Sequence, residues 1–209
     1  KVTRYTYAAD TLPSGTLLDP NNFRFYNSIA SVVFPNESNS GLSRLSWTYY
    51  MQPGSPLHGR VKTHTVGSTS ATPAAGGTFT YSYELLTNAS GPNGAATRTT
   101  VLDRNGTRTV LEYTQRGQLL KESIFTRGLR EGEPQSYVRT FSYNDDGEMI
   151  SSVDANGIRT TYGRSDGDDT LRSGQSNETS RTLTPIPGKP AAQTTIRTGT
   201  VYEPVFNRV

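Results

Sequence analysis

Ser142-Tyr143-Asn144-Asp145-Asp146-Gly147-Glu148-Met149-Ile150-Ser151-Ser152-Val153-Asp154-Ala155-Asn156-Gly157-Ile158-Arg159-Thr160-Thr161-Tyr162 is the stretch whose pattern decides the fold. Two glycines, Gly147 after Asp146 and Gly157 after Asn156, punctuate segments rich in β-branched, aromatic and hydroxyl residues. Asp-Gly and Asn-Gly between such segments are strong short hairpin signals, because the glycine supplies the positive φ that a primed turn or a G1 bulge demands. The order is therefore a strand through Ser142 and Tyr143, a turn at Asp145-Asp146-Gly147, a strand Glu148 to Val153, a turn Asp154 to Gly157, and a strand Ile158 to Tyr162. That is a β-meander. No window of a dozen residues anywhere in the chain keeps a helical apolar stripe free of Gly, Pro or Thr-rich breaks.

Self-comparison extends this meander along the chain. Asp103-Arg104-Asn105-Gly106-Thr107-Arg108-Thr109 matches Asp154-Ala155-Asn156-Gly157-Ile158-Arg159-Thr160 at five of seven positions, and both run into a segment ending in Tyr, at Tyr113 and Tyr162. Asp19-Pro20-Asn21-Asn22-Phe23-Arg24-Phe25-Tyr26 is a looser copy in which Asn22 replaces glycine, the residue next best at positive φ. Pro92-Asn93-Gly94 with Thr97-Arg98-Thr99 is a degenerate fourth. A second motif keeps a Gly four residues after a Tyr: Tyr113 to Gly117 and Tyr143 to Gly147. Tyr83, Tyr113 and Tyr143 are spaced by 30, Tyr143 and Tyr162 by 19, and Tyr162 and Tyr202 by 40. The turn-forming positions are thus Asp103, Asn105, Gly106, Gly117, Gly147, Asp154, Asn156 and Gly157, and the repeat aromatics are Tyr113, Tyr143, Tyr162 and Tyr202.

A Tyr with Gly four on, an apolar residue shortly after, and then Asp-x-Asn-Gly-x-Arg-Thr resembles the YD-repeat, or rearrangement-hotspot, family; Tyr143 through Tyr162 carries the resemblance best. Tyr202-Glu203-Pro204-Val205-Phe206-Asn207-Arg208-Val209 is similar to that family's Tyr-Asp-Pro-x-Phe-Gly-Arg-Val segment, departing at Glu203 and Asn207, and Gly59-Arg60-Val61 echoes it. The resemblance covers about half the chain. It implies an all-β spiralling sheet of antiparallel hairpins, shell or solenoid-like, serving as wall material of a large secreted or surface-exposed bacterial shell or fibre, of a kind that often encloses a toxic cargo domain located elsewhere. Neighbouring repeats of the same larger protein are then the partners. The whole of 1–209 reads as one continuous repeat segment, with loop insertions near 13–15, 36–41, 53–57, 67–77 and 171–192, and both ends read as cut.

Composition agrees with thin sheets. Hydrophobic residues are 32% of 209 and the mean hydropathy is −0.61, low for a domain with a dense enzyme core. Yet 12 Tyr, 7 Phe and a Trp among Val, Ile and Thr argue against disorder. A net charge of +3 with no concentrated basic face gives no reason to expect nucleic acid; Arg127 to Arg130 is broken by Gly128 and Leu129 and reads as a solvated loop. No segment is apolar for long enough to span a membrane as a helix, and without Cys the fold holds by strand pairing.

Activity has little sequence support. Only His58 and His64 are present; six apart on one strand, they would sit about 20 Å apart on one face, too far for a shared metal. Glu131 and Glu133 lie in a Gly/Pro loop without an apolar pocket. No nucleophile, phosphate-loop or zinc motif appears, so the expectation is a non-enzyme with no cofactor. Asp145-Asp146 and Asp166-Gly167-Asp168-Asp169 are carboxylates that turns use anyway. The Trp47, Tyr49 and Tyr50 cluster supports an alternative, an adhesin-like or carbohydrate-binding surface module, with Trp47 and Tyr49 sharing a strand face. The Asn-x-Ser/Thr tripeptides starting at Asn36, Asn88, Asn105 and Asn177 are at the number that chance supplies.

Overall fold

The computed structural model of the protein describes residues 2–12, 27–34, 44–52, 54–67, 76–87, 89–165, 176–185 and 195–202. Among these, thirteen strands form one antiparallel sheet whose spatial order is the chain order. They are β1 Arg4–Tyr7, β2 Ile29–Val33, β3 Leu45–Tyr49, β4 Val61–Val66, β5 Gly77–Leu85, β6 Thr97–Leu102, β7 Arg108–Tyr113, β8 Leu119–Phe125, β9 Ser136–Tyr143, β10 Met149–Val153, β11 Arg159–Arg164, β12 Glu178–Thr184 and β13 Ile196–Gly199. A 3-10 turn, Ala8–Thr11, follows β1. The all-β meander expected from the sequence is therefore the architecture. The chain packs as two compact units, Lys1–Tyr83 with Thr99–Thr109, and Glu84–Arg98 with Val110–Val209.

One correction concerns the stretch 171–192, expected as loop. It contains β12, which pairs with β11 from Arg159↔Thr184 to Arg164↔Glu178. Its Thr and Ser residues look like linker composition, but on a half-exposed sheet they are ordinary strand material. The looser turn copy at Asp19 to Tyr26 and the loops 13–15 and 36–41 lie outside the described residues.

In the first unit the two sheet faces differ in kind. Antiparallel pairing lines up Thr6, Ser31, Ser46, Thr65 and Thr78 in one row across β1 to β5, and Tyr5, Val32, Leu45, Val66 and Gly77 in the next, on the opposite face. Hydroxyls in such rows pair with one another, Thr6 with Ser31 at 2.6 Å, Thr48 with Thr63 at 2.6 Å and Thr65 with Thr78 at 2.9 Å. Ser142, Ser151, Thr161 and Thr182 make a comparable row in the second unit. Cross-strand hydroxyl pairs are a recognised source of sheet stability, and they spare the chain the apolar residues a two-layer core would require. Buried apolar residues among those described are only Ala8, Ala30, Val32 and Leu120.

Four of the hairpin turns are one structure. At Asp103, Thr114, Asn144 and Asp154 the backbone N–H donates to the carbonyl four residues on, and the carbonyl accepts from the glycine three residues on. Those glycines, Gly106, Gly117, Gly147 and Gly157, have φ of 83°, 80°, 89° and 85°. This is a type I turn closed by a left-handed residue in a G1 bulge. The first side chain caps it. Asp103 Oδ1 accepts from the N–H of Asn105 at 2.8 Å and of Thr107 at 2.7 Å, and Asp154 Oδ1 does the same for Asn156 and Ile158, both at 2.9 Å. Thr114 Oγ1 accepts from Arg116 and Gln118, and Asn144 Oδ1 from Glu148. The two sequence motifs are thus one turn with Asp, Thr or Asn as the cap. The copy at Pro92-Asn93-Gly94 is not this turn: there the positive φ belongs to Gly91, at 70°.

A methyl group at Gly106 would meet nothing within 4 Å, whereas one at Gly147 would stand 2.9 Å from Gln118 Nε2 and 3.3 Å from Arg116 Nη1. Gly106→Ala is expected to destabilise by about 1–2 kcal/mol, the left-handed backbone cost alone. Gly147→Ala is expected to lose more, because Arg116 and Gln118 must also move. Urea denaturation of both variants measures the difference, and equal losses would mean that the neighbouring turn contributes nothing.

Candidate functional site

The recurring polar contact of the sheet is a tyrosine hydroxyl spent on a backbone carbonyl. Tyr49, ending β3, donates to Ile29 O at the start of β2, at 2.5 Å; Tyr83 in β5 donates to Val61 O at the start of β4, at 2.9 Å. Tyr143, ending β9, donates to Leu119 O at the start of β8, at 2.8 Å, and Tyr202, just past β13, donates to Glu178 O at the start of β12, at 3.2 Å. In every case the donor lies at or near the end of an odd-numbered strand and the acceptor is the first residue of the even-numbered strand before it. On β11 the donor is a guanidinium: Arg164 Nη2 reaches Met149 O, the first residue of β10, at 3.4 Å. Tyr113 ends β7 at the equivalent place, where its carbonyl accepts from Ala96 N at 2.8 Å.

Register marks the same positions. Tyr49 pairs with Val61, Tyr143 with Met149 and Arg164 with Glu178, each the first residue of the following strand, and each pairing adjoins a one-residue register shift. The extra residue of each shift, Lys62, Ile150 or Thr179, lies on the following strand, so the bulge bends that strand beside the latch. The carbonyls of Ile29, Val61, Met149 and Glu178 are thus bound to the latch of their own module, while the same residues pair with Tyr7, Tyr49, Tyr143 and Arg164 ahead of them. The repeating unit is a pair of strands, even then odd, closed by one latch.

Three of the four sequence-selected aromatics hold latch positions: Tyr113, Tyr143 and Tyr202. Tyr162 does not. It stands two residues ahead of Arg164, pairs with Arg181 and lies under the Arg181 guanidinium, 5.4 Å from the ring centroid, while Arg181 also binds Glu178. Tyr49 and Tyr83 hold latch positions as well, although neither has a turn glycine four residues on.

The latches are reinforced where turns meet. Arg116 Nη1 donates to Asp145 O at 2.5 Å and Gln118 Nε2 donates to Gly147 O, so the turn after β7 is bonded to the turn after β9. Asn93 lays its carboxamide against the backbone of Tyr143, donating to the carbonyl at 2.9 Å and accepting from the N–H at 2.7 Å. A side chain here substitutes for a strand.

The remaining sequence candidates are placed as follows. Trp47 stacks on His64 with centroids 4.9 Å apart and planes 1° apart, and His64 stacks on Phe79 at 5.9 Å, a ladder across β3, β4 and β5. Tyr50 donates to Tyr81 O at 2.9 Å and meets Tyr83 edge-on at 6.0 Å, with Arg60 5.0 Å over the Tyr83 ring. Tyr49 and Tyr50 so reach to opposite sides of β3 along the sheet. His58 is in the turn before β4 rather than on a strand with His64, which removes the shared-face spacing expected from the sequence. Asp145 and Asp146 are exposed in their turn, and so are Arg127 to Arg130 and Glu131 in the loop between β8 and β9; Asp166 to Asp169 lie outside the described residues. Among the described residues no three metal-ligating side chains gather, and no helix is long and apolar enough to cross a membrane. The sequence matches no model of a known protein family, and no characterised protein matches it either.

Burial raises the pKa of Tyr49 against an opposing hydrogen bond from Ser28, and raises Tyr143; burial and then the Glu122 carboxylate raise Tyr113. A raised folded-state pKa means that stability is full below the ordinary tyrosine value of about 10 and is lost as pH climbs through the folded values. Stability is therefore expected to fall on the alkaline side, and Tyr143→Phe to make that fall shallower. At neutral pH the same variant is expected to cost about 0.5–1.5 kcal/mol, one net hydrogen bond. Thermal melts from pH 7 to 11 check both; an unchanged alkaline slope would remove Tyr143 from the titration.

Proposed function

We propose that the chain is wall material of a large, secreted or surface-exposed bacterial β shell of the YD-repeat type, and that it performs no catalysis. The observation that supports this best is the latch period: the even–odd pairs β2–β3, β4–β5, β8–β9 and β12–β13 are each closed by a tyrosine hydroxyl-to-carbonyl bond, and β10–β11 by a guanidinium in the same place. A lone hairpin cannot bury a face, so such units gain stability from their neighbours. The sheet rows of Ser and Thr suit a wall wetted on a broad face. Its partners are neighbouring repeats of the larger protein, and a cargo domain held elsewhere is what such a wall would enclose.

The alternative, a carbohydrate-binding surface module, starts from Trp47, Tyr49 and Tyr50. Their chemistry is already engaged: Trp47 lies flat on His64, and both tyrosine hydroxyls are given to backbone carbonyls. A sugar platform needs a free ring face and free polar groups at its rim.

Electron microscopy of the full-length parent is the test. Hollow particles with a sheet wall one layer thick are expected; a compact globule without a cavity would overturn the proposal. On a glycan array the chain is expected to show no binding that Trp47→Ala removes.

A further inference from the structure

We infer that Asn93-Gly94 is a modification site, one of spontaneous deamidation, which the grip of Asn93 on Tyr143 keeps dormant and whose product cannot grip again. Both partners lie in the second unit, Glu84–Arg98 with Val110–Val209.

Two demands meet at this dipeptide. Residue 93 must both donate and accept: its Nδ2 donates to the Tyr143 carbonyl at 2.9 Å, and its Oδ1 accepts from the Tyr143 N–H at 2.7 Å. A carboxamide carries both functions on one short side chain, whereas an ionised carboxylate only accepts. Residue 94 must have no side chain, because a Cβ there would overlap the backbone nitrogen and carbonyl of Ser90. The chain is therefore held to Asn-Gly at this point. That is also the pair in which the backbone nitrogen after an asparagine is least shielded, since glycine has no Cβ.

The reaction is internal and needs only water. The Gly94 nitrogen adds to Asn93 Cγ and a bond forms between them; the Cγ–Nδ2 bond breaks, and Nδ2 leaves as ammonia with the proton that Gly94 gives up. Water then opens the five-membered imide at either carbonyl, leaving an aspartate or, with the main chain rerouted through Cγ, an isoaspartate. Asn93 is exposed, so water reaches it.

Two other Asn-Gly pairs show what is particular here. At Asn105-Gly106 and Asn156-Gly157 the attacking nitrogen is the part that is held, Gly106 N–H donating to Asp103 O at 3.0 Å and Gly157 N–H to Asp154 O at 2.9 Å. Gly94 N–H reaches Gly91 O at 3.3 Å, a weaker hold, and the guard falls to the carboxamide. Both bonds to Tyr143 must open before Cγ can turn to the nitrogen. Once it has reacted, the donor is gone and a carboxylate oxygen faces the Tyr143 carbonyl. Tyr143, whose hydroxyl latches Leu119, then loses its backbone anchor. Deamidation is thus a one-way release on the β8–β9 pair.

Peptide mapping of the full chain, aged in mildly alkaline buffer either folded or in guanidinium chloride, follows the reaction at Asn93. It is expected to run at least about tenfold slower in the folded chain, a factor within reach of two ordinary hydrogen bonds. Asn93→Asp stands for the product and Asn93→Ala for a grip simply removed. At neutral pH Asn93→Asp is expected to melt below Asn93→Ala. As pH falls through about 4 it is expected to recover and melt above it, because a protonated carboxyl again has one donor and one acceptor. The fold prefers that neutral form, so its folded-state pKa lies above the unfolded value, and the gain is present in acid and lost as pH rises. Equal rates at Asn93 in the folded and unfolded chain, or a gap between the two variants that ignores pH, would overturn the inference.

Discussion

A tyrosine hydroxyl donating to the first carbonyl of the preceding strand is the contact on which the regularity of this sheet depends. Neighbouring strands in a meander are already tied by their backbone ladder, but a ladder alone allows slippage wherever both faces are half exposed and polar. Rows such as Thr6, Ser31, Ser46, Thr65 and Thr78 would tolerate a shift of two residues with little change in chemistry. A latch at the strand end, seated by a bulge, does not. Tyr49, Tyr83, Tyr143 and Tyr202 each reach one particular carbonyl, and so fix the register of their pair.

The turns set the same register at both ends of the strands, Asp103 and Asp154 away from the latches, Thr114 and Asn144 directly after Tyr113 and Tyr143. Asp103, Thr114, Asn144 and Asp154 bind the backbone N–H groups of their own loops, and the following glycine takes the left-handed conformation that closes the bulge. This chemistry is local, within five residues, which is why it was legible in the sequence as Asp-x-Asn-Gly. The equivalence of Thr114 and Asn144 to the aspartates was less visible, because what is shared is a side-chain oxygen at one position rather than a residue type.

The latches were legible only in part. Tyr143 and Tyr202 stand out through their spacing, yet the acceptor is a backbone carbonyl 24 residues earlier, which carries no signature of its own. Where the donor is Arg164, the nearby Tyr162 drew the sequence pattern to the wrong position, since an aromatic and a guanidinium reach a carbonyl equally well but do not resemble each other in a repeat. Asn93 was singled out for its Asn-Gly pair, whereas its use is to bind Tyr143 fifty residues away. The composition of β12 points to loop, because hydroxyl-rich sequence marks both linkers and wetted sheet faces. The common lesson of these residues is that local backbone demands leave marks in a sequence, and long-range backbone acceptors do not.

Low apolar content follows from the same design. With few side chains buried, stability is spread along the strand order instead of being concentrated in one core, and each latched pair should hold its own strands. Hydrogen-exchange mass spectrometry of Tyr143→Phe against the parent chain measures this directly. Protection is expected to fall in Leu119–Phe125 and Ser136–Tyr143 while Ile29–Val33 and Leu45–Tyr49 stay as they were. A uniform loss across all strands, or no loss beside Leu119, would contradict the latch as the element that holds each pair in register.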